Sequence, residues 1–374
     1  MTVVLILASL STSLRNFRGP LIAELAEAGH KVHVAAPDLL QDQETCEWLQ
    51  ERGVECHDVP LSRAGLRPTA DLGTLFALCR LMTKLRPDLF LGYTIKPVIW
   101  GLIAARITGV SRRVALITGL GYSFTGQARG KRAVVQKLAR GLYAQALKGA
   151  TLAFFQNPDD RDTFRQMGLL PEGTPVVVVN GSGVDTEIYA PVPLPQCPIR
   201  FLLIARLLGD KGIREYVCAA RILRDAWPDA EFHLVGGLDP NPDGIASEEV
   251  QRWHDNRDII WHGALSDVRP AIAAAQVYVL PSYREGMPRT VLEAMSMGRA
   301  IVTTDAPGCR ETVRDGENGF LVPVQDARSL ADAMRRFLEA PDLATTMGAA
   351  ARRIAVEKYD VHKVNDAMIR AIGL

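Results

Sequence analysis

The sequence has few features of a secreted, membrane-spanning or metal-binding protein. Its six cysteines (46, 56, 79, 197, 218 and 309) show no C-x-x-C spacing, which argues against a zinc site and a disulfide framework. No uninterrupted apolar run is long enough to span a bilayer, and the first, over residues 3–10, lacks a preceding basic segment. The net charge of +1 gives no general reason to expect a nucleic-acid partner. These absences favour a protein of the reducing cytosol.

A glycine-rich dinucleotide motif is also missing from the place where it would be expected. The apolar strand over residues 3–8 is followed by SLSTSLRNFRG, which contains no G-x-G-x-x-G. A helix predicted over 20–28 and the strand HKVHVAAP nevertheless complete a βαβ unit. Because this alternation continues along the chain, the sequence predicts an α/β fold with a doubly wound parallel sheet and no dinucleotide site at the first loop.

A proline-rich segment divides the 374 residues almost in half. YAPVPLPQCP, residues 189–198, contains four prolines and predicts a linker. The strand–helix pattern ends before the segment and restarts after it, so we expect one domain over 1–188 and a second over 199–357. A final helix over 358–374 is expected to pack back on the first domain. Two such sheets would face each other across a central cleft, the usual place for a ligand.

The stretch LPSYREGMPRTVLEAMSMG, residues 280–298, is the centre of the predicted site. It is expected to run from a buried strand through a loop carrying Glu285 into a helix carrying Glu293. The helix N-terminus favours an anion, Gly286 lets a ligand approach the backbone, and Pro288 stiffens the loop. Carboxylates beside an anion site suit a nucleotide sugar, which has both phosphates and hydroxyls. The alternative is a solvated surface loop and a capped helix.

Two cations flank a tight turn earlier in the second half. Arg206 and Lys211 lie around GDKG at the end of the strand IRFLLIARL. Both can reach one diphosphate, and cations there would stabilise the charge on a departing nucleoside diphosphate. Solvated surface cations are the alternative for either residue alone.

Taken together, these motifs resemble those of the glycosyltransferases of family 4. The matching patterns are A-R-x4-K-G, G-G, H-G, P-S-x2-E-G-x-P-x3-L-E-A-x3-G and G-C-R-E-x3-D-G-x-N-G. The resemblance implies the GT-B fold, two Rossmann-like domains with the nucleotide on the C-terminal one, and retention of configuration without a metal or other cofactor. It implies that the donor diphosphate binds Arg206 and Lys211, that Glu285 contacts the donor sugar and that Glu293 binds the ribose diol. It also implies that the backbone at Gly286, Met287 and Pro288 faces sugar and phosphates, and that the catalytic residues are Glu285, Arg206 and Lys211.

The first half resembles bacterial transferases that build surface glycans on undecaprenyl diphosphate, through NFRGPLIAELAEAGHKV, TIKPVIWGLIAAR, ITGLGYSFTG and FFQNPDD. This implies a UDP-sugar donor, with N-acetylgalactosamine in α-1,3 linkage as the leading expectation, and a polyprenyl-diphosphate-linked saccharide acceptor. By position, the acceptor-side residues would be Arg15, Lys96, Gly119, Gly121 and Tyr122. The basic helix over 128–147 would rest on the anionic inner face of the cytoplasmic membrane, or else be a solvated face; its cations are Arg129, Lys131, Arg132, Lys137 and Arg140.

One departure from the family pattern matters. Many family members have an N-terminal-side histidine that contacts the donor sugar, whereas ITGLGY has none, so we expect the leaving phosphate itself to take the acceptor proton. His262 is interpreted as structural. Asp160-Arg161-Asp162 spells the D-x-D metal motif of another transferase fold, but it lies where a helix should begin, and N-capping explains it better. A nucleotide-sugar epimerase or hydrolase of similar fold, and a non-catalytic nucleotide-sugar-binding protein, remain alternatives.

Overall fold

The computed structural model describes residues 1–62, 68–120, 131–196, 198–241 and 243–374, with side chains described for all of these except 131–135. The chain forms two compact units. The first unit contains Met1–Ser182 and Asn365–Leu374, and the second contains Gly183–Val364. No helix in the described part of the chain combines the length and apolar character needed to cross a bilayer.

The first unit is built on a parallel sheet of seven strands in the order β3-β2-β1-β4-β5-β6-β7. Its strands are β1 (Val3–Leu7), β2 (Lys31–Ala36), β3 (Glu55–Asp58), β4 (Leu89–Tyr93), β5 (Arg112–Ile117), β6 (Leu152–Phe155) and β7 (Val176–Val178). Its helices are α1 (Ser11–Glu27), α2 (Gln43–Gln50), α3 (Pro68–Leu85), α4 (Ile95–Ile107), α5 (Lys131–Leu147) and α6 (Pro158–Gln166). The strand order reverses between β1 and β4, which is the topological switch point of a doubly wound sheet.

Helix α1 begins nine positions earlier than the sequence predicted, at Ser11 instead of Pro20. Pro20 lies inside the helix, where a missing N–H and ring clash cost about 3 kcal/mol. The same helix buries Leu14, Leu21, Ile22 and Leu25. Because each such side chain contributes about 1.5–3 kcal/mol on burial, packing outweighs the proline, and the predicted loop over 9–19 is mostly helix.

The second unit repeats the arrangement, with six parallel strands in the order β10-β9-β8-β11-β12-β13. Its strands are β8 (Arg200–Ile204), β9 (Glu231–Val235), β10 (Ile260–Trp261), β11 (Val277–Leu280), β12 (Ala300–Thr304) and β13 (Gly319–Val322). Its helices are α7 (Ile213–Arg224), α8 (Ser247–Asp255), α9 (Arg269–Ala273), α10 (Arg289–Ser296), α11 (Ala327–Glu339) and α12 (Asp342–Ile354), and α13 (Val361–Ile372) begins in this unit. The switch point here lies between β8 and β11. The α/β class with two doubly wound parallel sheets is therefore confirmed.

The proline-rich segment is fastened to the second unit. Arg299, which is only 1% exposed, donates to Val192 O at 2.8 Å and also to Ile272 O and Ala273 O at the C-terminal end of α9. Burial lowers the pKa of this guanidinium to about 10. Gln276 donates to Pro195 O at 3.1 Å and Ser296 to Tyr189 O at 2.7 Å. These bonds tie residues 189–195 to the body of one domain.

Candidate functional site

The predicted donor residues lie beyond the carboxyl ends of β8 and β11, the two strands at the switch point of the second unit. The strands pair in parallel with Val277 opposite Phe201 and Tyr278 opposite Leu202, so the segments that follow them leave the sheet at the same edge. In open α/β sheets this is the edge where ligands bind.

The GDKG turn is packed directly against the loop after β11. Residues Gly209–Lys211 form a 3₁₀ turn that ends at Gly212, whose φ of +68° is left-handed. A Cβ on Gly212 would lie 2.1 Å from Pro281 O, so only glycine allows this approach. Asp210 O also accepts a hydrogen bond of 2.9 Å from the Tyr283 backbone N–H. The two loops, residues 209–212 and 281–285, are therefore packed together, and we call them the platform.

Lys211 and Glu285 form an ion pair on this platform. The Lys211 Nζ lies 2.5 Å from Glu285 Oε1, and their side chains are only 14% and 17% exposed. Ser282 Oγ donates to the same carboxylate oxygen at 2.8 Å. The pKa of Lys211 is raised: burial acts to lower it, but the charge and hydrogen bond of Glu285 and the charge of Asp210 together outweigh burial. Lys211 is therefore protonated at neutral pH. Its ammonium has three N–H donors, and one of them hydrogen-bonds to Glu285.

The backbone of Glu285 is fixed by the segment after β12. Its N–H donates to Pro307 O at 2.9 Å. Gly308, with a φ of +82°, lies so close that a Cβ there would meet Glu285 O at 2.2 Å. The direction of the Glu285 side chain is thus set by two neighbouring loops as well as by its partners.

Arg206 is more exposed than Lys211 and faces a different acid. Its side chain is 60% exposed, and Nη1 lies 2.9 Å from Asp239 Oδ2 in the loop after β9. Asp210 lies close enough to these charges to respond to them. Burial raises the pKa of Asp210, with Glu285 and Asp243 acting in the same direction and Lys211 and Arg206 against it. The site therefore contains an exposed guanidinium paired with Asp239 and a largely buried ammonium paired with Glu285.

Glu293 belongs to a second, neighbouring cluster on α10. It is 5% exposed, and its Oε1 lies 2.8 Å from Arg289 Nε one turn earlier. Tyr189 hydrogen-bonds to it as well, and Asp267 lies near enough to affect it. Burial raises the pKa of Glu293, although Arg289 and Tyr189 act to lower it.

Tyr278 of β11 lies between the two clusters. Its hydroxyl oxygen lies 2.6 Å from Thr290 Oγ1, in the first turn of α10, and 3.0 Å from Ile204 O. Burial raises its pKa far above the usual value, and both Glu285 and Glu293 add to the effect. The tyrosine stays protonated and joins the end of β8 to the start of α10.

The N-terminus of α10 has no side-chain cap. It follows Pro288, whose ring cannot accept a hydrogen bond, and its first turn contains no acidic residue. A helix end of this kind favours an anion. Together with Lys211 and Arg206, it makes this edge of the second unit suitable for phosphate groups, while the carboxylates can accept hydrogen bonds from hydroxyls.

The sequence thus located the residues of this edge, but not how they pair. The structure brings Lys211 and Glu285 into contact, places Arg206 beside them and assigns Glu293 to the adjacent cluster. Met287 packs, partly buried, against the core that contains Tyr278. The partners that sequence reasoning missed are Tyr189, Asp210, Asp239, Ser282 and Arg289. Only Asp210 and Ser282 had a signal, since they lie inside the GDKG and P-S-x2-E-G motifs.

The two cations among the predicted acceptor-side residues, Arg15 and Lys96, are each paired with an acid of the first unit. Arg15 lies in α1 and pairs with Glu44 of α2 at 2.6 Å. Lys96, in the first turn of α4, is buried and lies 2.8 Å from Asp71 Oδ1 of α3, itself buried. Gly119 has a φ of +135° just after β5. Gly121 and Tyr122 lie outside the described residues.

Among the predicted membrane cations, Lys137 is exposed on α5 and Arg140 is half-buried. Arg129 lies outside the described residues, as do the side chains of Lys131 and Arg132.

The D-x-D sequence does not place its two carboxylates at one site. Asn157 caps α6 by accepting from the Asp160 N–H at 2.7 Å, and its amide donates to the buried Asp160 carboxylate. Asp162 instead pairs with Arg161 at 2.8 Å. The predicted capping role thus belongs to Asn157, with Asp160 as its partner in the first turn.

Four of the seven histidines form two close pairs. His262 Nε2 lies 2.8 Å from His233 Nδ1, and His233 also contacts Glu231 at 3.0 Å. In the first unit, His33 and His57 lie 3.0 Å apart on β2 and β3, with Glu55 close by. This second group has ligand atoms close enough to hold a metal ion, but Glu55 also pairs with Lys31 at 3.0 Å.

Two family models match the chain, one for each unit. The model described as "Glycosyl transferases group 1" matches residues 198–340, which contain the whole platform. The model described as "Glycosyl transferase 4-like domain" matches residues 16–181.

Individual proteins of known identity are similar over nearly the full length. The N,N'-diacetylbacillosaminyl-diphospho-undecaprenol alpha-1,3-N-acetylgalactosaminyltransferase of Campylobacter jejuni is 29% identical over 368 residues, covering 95% of this chain and 94% of that protein. Sucrose-phosphate synthase from Thermosynechococcus elongatus superposes with a TM-score of 0.82 at 19% identity, covering 99% and 98% of the two chains. Anabaena HepE in complex with UDP and glucose superposes with a TM-score of 0.78 at 19% identity, covering 100% and 99%. At these identities the solved structures establish the fold.

Proposed function

The chain belongs to the bacterial glycosyltransferases of the family 4 type, with the GT-B fold, and we propose that it transfers a hexose from a UDP-sugar to a saccharide linked to undecaprenyl diphosphate. The leading donor is UDP-N-acetylgalactosamine with α-1,3 linkage, because the similar Campylobacter jejuni protein is named for that transfer. The observation that carries the proposal is the ion pair of Lys211 and Glu285 at the switch point of the second unit.

Each charged group has a specific task in the proposed reaction. Lys211 and Arg206 bind the donor diphosphate and stabilise the negative charge that develops on UDP as the bond from the sugar C1 to the phosphate oxygen breaks. Glu285 accepts hydrogen bonds from the donor sugar, and Glu293 accepts them from the ribose diol. The two cations supply the charge that a metal ion supplies in other transferases, so we propose transfer without a metal.

The proposed stereochemistry is retention, which the family resemblance implies and which requires attack on the face of C1 that UDP leaves. The acceptor hydroxyl attacks C1 from the side that UDP leaves, the new C1–O bond forms there, and the departing phosphate oxygen takes the hydroxyl proton. The product then retains the configuration of the donor.

Calorimetric titration of the purified protein tests the donor side. We expect one of UDP-N-acetylgalactosamine, UDP-N-acetylglucosamine and UDP-glucose to bind, and GDP-mannose to bind more weakly. Glu293→Gln should weaken that binding about tenfold, which corresponds to about 1.4 kcal/mol for lost charge-assisted hydrogen bonds. Glu339→Gln, at an exposed acid at the end of α11, is the matched control. Binding that ignores the Glu293 change would disprove the assigned cluster.

Product analysis then separates transfer from the alternatives. With an undecaprenyl-diphosphate-linked saccharide present, the protein should add a sugar to it, in EDTA as well as in magnesium. Nuclear magnetic resonance of the product should show that the new glycosidic bond has the anomeric configuration of the donor. Rapid turnover without any acceptor would instead indicate an epimerase or hydrolase, and binding with no turnover a non-catalytic protein.

A further inference from the structure

The outer face of α3 in the first unit carries two large apolar side chains in solvent. Leu72 is 62% exposed and Phe76 is 73% exposed. Their spacing of four places them on the same face of the helix, and the exposed Arg80 and Lys84 continue that face over the next two turns. The opposite face buries Thr74, Leu78 and Met82 against the unit, so the exposed leucine and phenylalanine are not part of its core.

The charge of this face has one sign. The only acid of α3 is Asp71, which is 3% exposed and bound to Lys96 at 2.8 Å. The helix therefore presents cations and apolar groups outward, with no acidic side chain among them. The same bias continues along the sequence, because no aspartate or glutamate occurs between Asp88 and Asp159.

Helix α5 extends the surface. Side chains of α3, α4 and α5 share one hydrophobic cluster, so these helices cover the same face of the sheet. On α5, Leu138 is 57% exposed and lies beside the exposed Lys137, with Lys148 exposed just after the helix. Apolar side chains interleaved with cations recur on a second helix of one layer.

We propose that the outer face of α3 docks on an anionic bilayer, with Leu72 and Phe76 inserted among the acyl chains and Arg80 and Lys84 on the lipid phosphates. This is how amphipathic helices bind at a membrane surface without spanning it. A second copy of the chain is a poor occupant, since two such faces would bring cations against cations. The inference rests on the proposed function, in which the acceptor is carried by a lipid.

The position of the apolar pair suits that role. Helix α3 follows β3 and runs back along a parallel sheet, so its first turns lie near the carboxyl ends of the strands. The contact between Asp71 and Lys96, which follows β4, confirms this placement. Leu72 and Phe76 thus lie near the edge at which such sheets bind ligands, and docking there would hold a lipid-linked acceptor close to it.

Vesicle co-sedimentation tests the proposal. Vesicles of phosphatidylcholine and phosphatidylglycerol in equal amounts should bind the wild-type protein, and vesicles of phosphatidylcholine alone should bind it much less. Leu72→Ser with Phe76→Ser should weaken binding to the anionic vesicles at least about tenfold, because the inserted area is lost. Arg80→Gln with Lys84→Gln should weaken it several-fold and reduce its salt dependence. Ile222→Ser, at an apolar residue of α7 that is 44% exposed, is the control and should bind as wild type.

Three outcomes would overturn the proposal: no binding of wild type to anionic vesicles, binding unchanged in the Leu72/Phe76 variant, or a solution dimer that this variant dissociates. Calorimetry with the UDP-sugar on the same variants should be unchanged. If the Leu72/Phe76 variant loses vesicle binding but keeps donor binding, the docking proposal is supported. If the wild-type protein binds vesicles but no UDP-sugar, the proposed function has failed and the docking proposal has not.

Discussion

The side chain of Glu293 is withdrawn from water by the fold, and the residue is only 5% exposed. Burial raises its pKa despite the Arg289 ion pair, so the ionised form is less favoured in the folded protein than in the unfolded chain. An acid whose folded pKa is raised reduces the stability of the folded state as the pH increases from the unfolded pKa through the folded pKa. The carboxylate therefore weakens the apoprotein at neutral pH.

Replacing Glu293 by Gln should make the protein more stable at pH 8 while weakening donor binding. The amide cannot ionise, so the gain in melting temperature over wild type should be absent near pH 4, grow through the range between the two pKa values, and level off above it. Differential scanning calorimetry across pH measures this, with Glu339→Gln as the control that shows no such trend. A gain that shrinks as the pH rises would mean that Arg289 and Tyr189 dominate over burial.

At the residue scale, the sequence could predict identities and shared location but not partners. Lys211 and Glu285 were expected at one donor site through the family resemblance, and both follow predicted strands, which end at the same side of a parallel sheet. Their 2.5 Å contact depends on Gly212 and Gly308, which let three loops approach within distances that no Cβ would permit. Such proximity between residues far apart in sequence leaves no local pattern. The contact of Tyr189 with Glu293 was missed for the same reason, since the proline-rich segment that contains Tyr189 was interpreted as a linker.

The junction of β4 and α4 contains the strained residue Thr94. Its φ of 68° and ψ of 167° belong to a region that glycine populates almost alone, and a β-branched residue there costs about 1–3 kcal/mol. Its hydroxyl donates to Ser9 Oγ at 2.9 Å, which links the segments after β1 and β4. The strain thus lies at the switch point of the first unit.

Glycine at position 94 should therefore be more stable than alanine there by at least about 1 kcal/mol, because glycine relieves the strain and alanine does not. Both variants lose the bond to Ser9, so the comparison isolates the backbone. Chemical denaturation of Thr94→Gly and Thr94→Ala measures the difference. Equal stabilities, or the usual preference for alanine, would contradict the strained conformation.

At the element scale, strands were predicted better than helices. Short apolar runs such as VVLIL and VYVL have few alternatives to a buried parallel strand. Helix boundaries depend on packing energies that exceed local signals, as at α1, where four buried side chains outweigh Pro20. Helix α8 (Ser247–Asp255) shows the same limit, because it buries only Val250 and Trp253 and its other residues are polar. Two anchors in nine residues give little periodicity.

For the whole molecule, the chain enters the first unit twice. It leaves at Ser182, builds the second unit and returns within α13, whose residues from Asn365 onward belong to the first unit. Asn365 donates to Glu24 Oε1 of α1 at 3.0 Å, and Arg112 of β5 donates to Gly373 O at 3.2 Å. Met368 is fully buried, and Ile372 is 8% exposed. A short terminal segment is thus part of a core formed by residues more than two hundred positions earlier.

Removing residues 365–374 should therefore destabilise the first unit selectively. Loss of two buried apolar side chains alone amounts to about 3–6 kcal/mol. Hydrogen exchange followed by mass spectrometry should show faster exchange in peptides of α1 and β5, with peptides of β8 and β11 unchanged. Met368→Leu conserves the volume and should exchange nearly as wild type, while Met368→Ala should reproduce part of the effect of truncation. Faster exchange confined to the second unit would contradict the prediction, because the terminal segment would then stabilise that unit and not the first. Equal acceleration in both would mean that the two units unfold together.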